Sequence, residues 1–303
     1  MKDKKYDLII VGTGPAGMSA AVYAARYKLE TLLIGDIHGG MAAEAHEIWN
    51  LISYKKIRGF ELAIKLKEQV ENLGVEILTK KVSSIKKNKN FFKIIVENEN
   101  YYSKKIILAT GSEKRKLGVK DEKKFLGKGI SYCATCDATF FKDKTISVIG
   151  GSDAALTAAL LLSDFAIKVY LIYRKNKFFR AEPAWVDAVE KNKKIRTIFN
   201  ANVVELIGKN FLEKIKINNG TVIESSGLFI EIGSTPNSGL ARKLGIELEN
   251  DFIITDKKQK TNIKGIFAAG DVTNNALKQI ITAAAEGAIA ATQAYEEIKT
   301  EEK

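Results

Sequence analysis

Two cysteines separated by two residues are the groups in this sequence best suited to redox chemistry. Cys133 and Cys136 are the only cysteines among its 303 residues. Two intervening residues let a local disulfide open and close with little backbone change, and a thiolate is the attacking group in disulfide exchange. Asp137 follows directly and could exchange a proton with the pair, or could cap a turn or helix. The spacing predicts a redox-active dithiol with Asp137 as its candidate proton donor.

A metal site is the alternative use of such a pair. Two thiolates are too few for a structural zinc site. The two histidines of the chain, His38 and His46, could join them only through a long-range coincidence. We therefore predict no metal.

A glycine-rich segment near the start matches the dinucleotide-binding fingerprint. It follows an apolar run and precedes a helix-like run, which is the context that the fingerprint requires. The first glycine permits the tight turn, the second lets the backbone approach a pyrophosphate, and the third lets the helix pack on the strand. The helix N-terminus then offers N–H groups and a positive dipole end to the phosphates. The expected contacts are Gly12, Gly14, Pro15, Ala16 and Gly17.

An acidic residue about 20 positions further on commonly holds the ribose hydroxyls in such a unit. Asp36 lies at that distance and is the candidate. It could equally belong to a turn with Gly35.

A second glycine-rich turn fits the fingerprint less well. Gly150, Ser152 and Ala155 occupy its three positions, and the serine stands where the missing Cβ normally allows a pyrophosphate to approach. The serine therefore weakens binding, abolishes it, or is accommodated by a small shift. The segment after the next strand has no acid but several cations, which suits the 2′-phosphate of NADP. The alternative is a basic surface loop on a fold that no longer binds a nucleotide. The candidate contacts are Gly150, Gly151, Ser152, Asp153, Ala155, Arg174, Lys175 and Arg180.

The apolar pattern predicts the elements that must position these groups. It indicates two βαβ units, one set inside the other. We expect an α/β fold with two Rossmann-like nucleotide-binding domains, the second inserted in the first. The expected domains are 1–113 with 244–303, which contain the first glycine-rich loop, and 114–243, which contains the second loop and the cysteine pair; each is expected to bind a dinucleotide. The predicted strands are 6–11, 29–34, 106–109, 145–149, 168–172 and 265–272, with further strand-like segments at 196–207 and 211–232; the predicted helices are 18–27, 156–164 and 279–298.

Composition narrows the class of protein. The net charge is +12, but the lysines are spread along the chain with acids between them, so a nucleic-acid-binding surface is not expected. A weaker hypothesis is that the positive field attracts acidic redox partners. No uncharged apolar stretch reaches ~18 residues, so no membrane span is expected. The glycine-rich turn interrupts the first apolar run, which does not fit a signal peptide. We therefore expect a cytoplasmic protein.

Taken together, these residues resemble the low-molecular-weight thioredoxin reductases, a class of FAD-dependent pyridine nucleotide-disulfide oxidoreductases. The resemblance covers nearly the whole chain. Its most specific element is Cys-Ala-Thr-Cys-Asp directly before a second glycine-rich turn. The segments that carry it are 12–17, 39–40, 109–111, 133–137, 178–183, 233–237 and 270–272 with Gln279.

The resemblance implies a route for the electrons. NADPH reduces FAD, the flavin reduces the cysteine pair, and the dithiol reduces a thioredoxin-like protein. Cys136 would lie against the flavin, Cys133 would attack the partner disulfide, and Asp137 would donate the proton. A homodimer is also implied. The implied FAD contacts outside the first loop are Gly40, Asn50, Thr110, Gly111, Gly270, Asp271 and Gln279.

Only 14 positions separate Cys136 from Gly150, so the dithiol and the second nucleotide loop belong to the same inserted unit. Both must reach one flavin held by the outer unit. We therefore expect the inserted unit to rotate about its two linkers during turnover.

Departures from the family pattern leave the electron donor open. Trp49-Asn50-Leu51-Ile52-Ser53 stands where the family has Glu-Asn-aromatic-Pro-Gly. Ser152 and Ala154 replace a glycine and a serine, and Tyr173-Arg174-Lys175 replaces His-Arg-Arg. One alternative is therefore a related flavoprotein that uses another donor, such as reduced ferredoxin. Another is a flavin redox sensor with little turnover.

Overall fold

The computed structural model describes residues 4–45, 48, 50–88, 91–179 and 181–301; for Thr135 and Cys136 it describes the backbone. The helices in these ranges are α1 Pro15–Arg26, α2 Gly59–Asn72, α3 Glu122–Phe125, α4 Ala134–Asp137, α5 Asp153–Phe165, α6 Pro183–Lys191, α7 Gly239–Leu244 and α8 Ile280–Glu301. Short 3-10 helices cover Gly40–Glu44 and Ala138–Phe141.

The strands in the described ranges include both long central strands and short connecting ones. They are β1 Lys4–Val11, β2 Thr31–Ile34, β3 Glu76–Leu78, β4 Val82–Lys87, β5 Phe92–Val96, β6 Glu99–Leu108, β7 Ser112–Lys114, β8 Ile130–Ser131, β9 Thr145–Ile149, β10 Lys168–Ile172, β11 Ile195–Ile198, β12 Val203–Ile207, β13 Lys214–Ile217, β14 Val222–Glu224, β15 Gly227–Ile230, β16 Ser234–Pro236, β17 Leu248–Glu249, β18 Phe252–Ile253 and β19 Ile266–Ala268.

The chain divides into two compact units. The outer unit contains Met1–Glu113 and Thr235–Lys303, and the inserted unit contains Lys114–Ser234. The chain returns from the inserted unit to the outer unit after Ser234, nine residues before the expected boundary at 243/244. The reason is α7, whose Ala241 is buried in the outer unit's core; the neighbouring Leu240 and Leu244 are partly buried and pack against that core.

The larger sheet lies in the outer unit. Strands β3, β2, β1 and β6 pair in that order and in parallel, β19 adds in parallel to β6, and β5 and β4 continue from β6 in antiparallel. Alternate residues of β1 face opposite sides of this sheet. Leu8 and Ile10 contact the alanine-rich sides of α1 and α8, whereas Ile9 and Val11 belong to the core on the other face. Both faces are covered, as expected for parallel strands.

Helices α1 and α8 pack closely because their contact is made of small residues. Ala20, Ala24, Ala290 and Ala294 are fully buried in one cluster. At the far end of α1, Tyr27 stacks on Tyr295 with ring centroids 4.5 Å apart. Burying this apolar surface stabilises the pair by about 0.8 kcal/mol per methylene equivalent.

The inserted unit repeats the Rossmann-like plan with a parallel sheet of order β11-β10-β9-β15-β8. Helix α5 covers one face, where Leu156 and Leu162 are fully buried. The antiparallel strands β12, β13 and β14 cover the other face through Ile215 and Ile217. The predicted fold class is confirmed.

Most predicted elements are observed close to their expected bounds. The predicted helix 279–298 is α8, and the predicted strands 145–149 and 168–172 are β9 and β10. The strand-like segments 196–207 and 211–232 each contain more than one strand, separated by turns. In the described ranges, none of the helices is long and apolar enough to span a membrane.

A buried lysine anchors the end of α8 to the sheet. The side chain of Lys105 on β6 is only 4% exposed, and its ammonium lies 2.8 Å from Glu301 and 3.4 Å from Glu297. Lys260 and Lys264 also pair with these two carboxylates. The hydrogen bond from Lys105 lowers the pKa of the Glu301 carboxyl. A folded-state pKa below the unfolded one means that the pair stabilises the fold above about pH 4.3 and loses its effect as the pH falls through the folded-state pKa.

We expect Lys105→Met to lower the free energy of unfolding by about 1.5–3 kcal/mol at pH 7, because it removes charge-assisted hydrogen bonds to half-buried carboxylates. The deficit should shrink as the pH falls below the ordinary glutamate pKa of about 4.3 and through the lowered pKa of Glu301. Urea unfolding at several pH values measures both. The control is Lys67→Met, which removes an exposed pair with Glu71 in α2 and should cost less than about 0.5 kcal/mol. A deficit as small as that of the control would contradict the anchoring role.

Candidate functional site

Three predicted site segments meet at one edge of the outer sheet. Strands β1, β6 and β19 are parallel neighbours, and their carboxyl ends lead into Gly12, Ala109 and Gly270. Ligands of open parallel sheets bind outside such strand ends. The register therefore brings the first glycine-rich loop, Thr110-Gly111 and Gly270-Asp271 together.

Two glycines of the first loop are required by the protein's own packing. Gly12 has φ +116°, and a Cβ there would lie 2.0 Å from the carbonyl oxygen of Ala109. A Cβ on Gly17 would lie 1.8 Å from the carbonyl oxygen of Gly12. These positions fix the turn and the contact of α1 with the strand ends. They would need glycine whether or not a ligand binds.

Gly14 is different. Its backbone angles, φ −77° and ψ −177°, suit any residue, and the nearest atom to an added Cβ is the Cα of Gly40 at 4.0 Å. Nothing within the described protein therefore demands glycine at this position. Gly14 directly precedes α1, where backbone N–H groups and the helix dipole favour an anion. The open space suits the pyrophosphate of a dinucleotide such as FAD.

The other expected FAD contacts flank this loop in the outer unit. The hydroxyl of Thr110 donates to the carbonyl oxygen of Asn237 at 2.8 Å, and the Asn237 amide donates back to the carbonyl oxygen of Thr110 at 3.1 Å. The Asn50 amide donates to Oε1 of Gln279 at 2.9 Å, which joins two residues 229 positions apart. Asp36 follows β2 and is exposed. The roles of all these residues toward FAD stay predictions.

Asp271 is a half-buried carboxyl in this group. Burial raises its pKa, and the positive charge of Lys278 opposes that shift. Burial lowers the pKa of Lys278, while Asp271 and Glu286 oppose that shift. These charges therefore stabilise one another in a partly desolvated region.

The dithiol lies in the inserted unit at the start of a short helix. Cys133 immediately precedes α4 and is disulfide-bonded; Cys136 is the only other cysteine of the sequence. The Cys133 N–H donates to the hydroxyl of Ser131 at 3.0 Å, and that hydroxyl lies 3.2 Å from the Cys133 carbonyl oxygen. The Asp137 N–H donates to the same carbonyl at 3.3 Å. The Asp137 backbone is thus held next to Cys133.

A hydrogen-bonded group next to the dithiol was not predicted from the sequence. The Tyr132 hydroxyl donates to the buried carboxylate of Glu122, and the Lys114 ammonium donates to the Tyr132 carbonyl oxygen. The same carboxylate accepts the N–H groups of Leu117 and Gly118. Burial and Glu122 raise the pKa of Tyr132, so its hydroxyl keeps its proton. Residue spacing gave no signal for this group, because its members meet only in the folded unit.

The second glycine-rich loop has a different surface from the first. A Cβ on Gly150 would lie 2.2 Å from the carbonyl oxygen of Glu231, so this glycine is required by packing. A Cβ on Gly151 would lie 2.4 Å from the ring of Tyr173. Ser152 has extended backbone angles and immediately precedes α5. Its side chain therefore lies at the position that Gly14 leaves open in the first loop.

The basic segment after β10 is held against this loop. Oδ1 of Asp153 accepts the N–H of Glu182 at 2.7 Å. Arg174 and Lys175 are exposed. Arg180, the remaining expected nucleotide contact, lies outside the described residues, as do His46 and Trp49.

Comparison with known proteins identifies the family. Residues 6–287 match the model of a family described as pyridine nucleotide-disulphide oxidoreductase. The chain belongs to this family. It is 35% identical to the thioredoxin reductase of Listeria innocua, over 98% of this chain and 95% of that protein. The resemblance predicted from the sequence is confirmed.

Solved structures agree with this assignment. The fold matches that of Lactococcus lactis thioredoxin reductase in its FR conformation with a TM-score of 0.91 and 39% identity, covering 97% of this chain and 99% of that one. A ferredoxin-flavin thioredoxin reductase from Clostridium acetobutylicum matches with a TM-score of 0.55 and 33% identity, covering 98% of this chain and 99% of that one. These matches show an oxidoreductase with the thioredoxin reductase fold.

The open space at Gly14 predicts that a side chain at this position interferes with FAD binding. We expect Gly14→Ala, at the N-cap of α1, to lower the stability of the FAD-free protein by no more than about 1 kcal/mol. It should weaken FAD binding by about tenfold or more, since a methyl group would enter the space for the pyrophosphate. Quenching of flavin fluorescence on addition of FAD to the FAD-free protein measures the dissociation constant. The matched control is Gly239→Ala, another glycine with open surroundings and ordinary φ in the outer unit. If Gly14→Ala binds FAD as the control does, the pyrophosphate does not lie at Gly14.

Proposed function

We propose that this chain is a thioredoxin-disulfide reductase, in which the outer unit binds FAD and the inserted unit carries the Cys133–Cys136 dithiol and binds the electron donor. The observation that carries the proposal is one chain with both a disulfide-bonded Cys133 and an open dinucleotide loop at Gly14. Bound FAD supplies two-electron transfer to a disulfide. The family and the names of its relatives support the same activity.

The residues around the dithiol have distinct proposed roles. In the reduced pair, the Cys133 thiolate attacks one sulfur of the partner disulfide, and the partner's other sulfur leaves as a thiolate. Cys136 then attacks Cys133, which reforms the internal disulfide and releases the partner's second sulfur. Asp137 supplies a proton to a leaving thiolate. The contacts of Ser131 and Tyr132 hold the backbone at Cys133 in place for this attack.

NADPH is the proposed electron donor. The exposed cations at Arg174 and Lys175 suit a 2′-phosphate. Ser152 argues against tight binding, because its side chain occupies the position that is open at Gly14. A donor other than NADPH, such as the ferredoxin in the name of the Clostridium relative, is therefore the second candidate. A redox sensor with little turnover would have no use for a second nucleotide fold.

Three further expectations have different grounds. A homodimer rests on the resemblance alone, and a cytoplasmic location rests on the sequence pattern. Rotation of the inserted unit, so that dithiol and donor reach the flavin in turn, rests on the short spacing between Cys136 and Gly150. The names of the relatives support the proposed partner class, a thioredoxin-like protein.

The donor is tested by mixing the FAD-loaded protein with NADPH in the absence of oxygen. We expect the flavin absorbance to fall rapidly and, with a thioredoxin present, steady disulfide reduction that is lost in Cys136→Ser. If the flavin stays oxidised with NADPH, NADPH is not the donor. If the photoreduced flavin then reduces the Cys133–Cys136 disulfide, the protein is still a disulfide reductase with another donor. If NADPH reduces the flavin of the wild-type protein but no thioredoxin is reduced, the redox-sensor hypothesis is supported instead.

Ser152→Gly tests whether the Ser152 side chain restricts NADPH binding. This change costs only a few tenths of a kcal/mol at the start of a helix, so the fold should persist. If Ser152 restricts access, the NADPH concentration for half-maximal flavin reduction should fall several-fold, while reduction by dithionite stays unchanged. An unchanged or higher half-maximal concentration would show that the serine is accommodated.

A further inference from the structure

A buried carboxylate in the outer unit has no role in the chemistry described so far. Glu286 lies on α8 and is 8% exposed. Its Oε2 accepts the N–H of Gly270 at 2.7 Å and the hydroxyl of Thr273 at 3.3 Å. An ionised acceptor makes stronger hydrogen bonds than a neutral one. Glu286 therefore holds the turn from which Asp271 projects.

The same part of α8 also lies against the first glycine-rich loop. A Cβ on Gly287 would lie 2.0 Å from the carbonyl oxygen of Ala16, and a Cβ on Gly270 would lie 2.9 Å from the Cβ of Ala16. Gly270 has φ +81°, a conformation that side chains rarely adopt. Glu286 and Gly287 thus contact both segments expected to bind FAD.

The segment that follows Gly270 is closed by further hydrogen bonds. The Thr273 N–H donates to the Gly270 carbonyl oxygen at 2.9 Å. The single proton of the Thr273 hydroxyl is shared between the same carbonyl oxygen at 2.9 Å and the Glu286 carboxylate. The Lys278 ammonium donates to the carbonyl oxygens of Thr273 at 2.6 Å and Asn275 at 2.9 Å. Asp271 and Gln279 therefore lie at the two ends of a segment whose conformation is held by hydrogen bonds to Glu286 and Lys278.

We propose that Glu286 is a positioning residue for FAD: its buried carboxylate fixes the Gly270–Asp271 turn beside the start of α1, so that FAD affinity depends on a side chain that need not touch the cofactor. This inference rests on the proposed function only in requiring that the outer unit binds FAD. A purely structural carboxylate would stabilise the FAD-free and the FAD-bound protein equally.

Protonation gives the proposal a second readout. Burial raises the pKa of Glu286, and the hydrogen bonds from Gly270, Asn275 and Thr273 and the charge of Lys278 oppose that shift. The charged group that acts on it is Lys278, which also interacts with Asp271. Because the pKa is raised, Glu286 takes up its proton at a higher pH than an exposed glutamate. FAD affinity should therefore weaken as the pH falls through the pKa of Glu286. The part of this pH dependence that Glu286 causes should be absent from Glu286→Gln.

The experiment measures the FAD dissociation constant of FAD-free wild type, Glu286→Gln and Glu296→Gln between about pH 5 and 8. Glu296 is the matched control, since it is exposed on the same helix. We expect Glu286→Gln to bind FAD about tenfold more weakly at pH 8, with a shallower pH dependence than wild type and little change in the unfolding temperature of the FAD-free form. The control should match wild type throughout.

Equal FAD affinity and equal pH dependence in wild type and Glu286→Gln would overturn the inference. So would equal destabilisation of the FAD-free and FAD-bound forms, which indicates a structural role alone. If the glutamine variant does not fold, Thr273→Val is the second variant. It removes the hydroxyl shared by the Glu286 carboxylate and the Gly270 carbonyl oxygen and should weaken FAD binding about threefold; no change there also overturns the inference. Failure of the proposed function would appear differently, as a wild-type protein that binds no FAD or never reduces its dithiol.

Discussion

Backbone contacts that are too close for a Cβ shape the candidate FAD site. The carbonyl oxygens of Gly12, Ala16 and Ala109 each lie about 2 Å from where a Cβ would stand on a facing glycine. These contacts join the ends of β1 and β6 to the helices α1 and α8. Interiors of this packing density transmit small displacements rather than absorb them. The hydrogen bonds of Glu286 add the end of β19 to the same rigid group.

The two glycine-rich loops share one architecture but present different surfaces to a ligand. Each loop follows a strand that pairs in parallel on both sides and leads into a helix, and each has a first glycine required by packing. They differ at the middle position, which is open at Gly14 and bears a side chain at Ser152. They differ again one residue earlier, where Gly151 is covered by the ring of Tyr173. The feature that bears on the choice of donor is therefore local and lies at one side of the second loop.

Sequence patterns predicted the parts of the structure that depend on local chemistry. Continuous apolar runs marked the buried parallel strands, and the glycines with fixed spacing marked the turns that lead into α1 and α5. The pattern could not predict Glu286 or the Tyr132–Glu122 hydrogen bond, because a polar residue's partner is chosen by tertiary contact. The boundary after Ser234 was missed for a related reason. The few apolar residues of α7 predict that one side of this helix is buried, but they do not indicate which of the two units it packs against.

The central claim is that FAD and the Cys133–Cys136 pair form one redox system in this chain. A reductive titration of the FAD-loaded protein with dithionite, without oxygen, tests it most directly. A disulfide and a flavin each accept two electrons. We expect the wild type to take up about twice as many electrons per flavin as Cys136→Ser, with two free thiols appearing as the flavin is reduced. Equal uptake by the two proteins, with no thiols released in the wild type, would contradict the account.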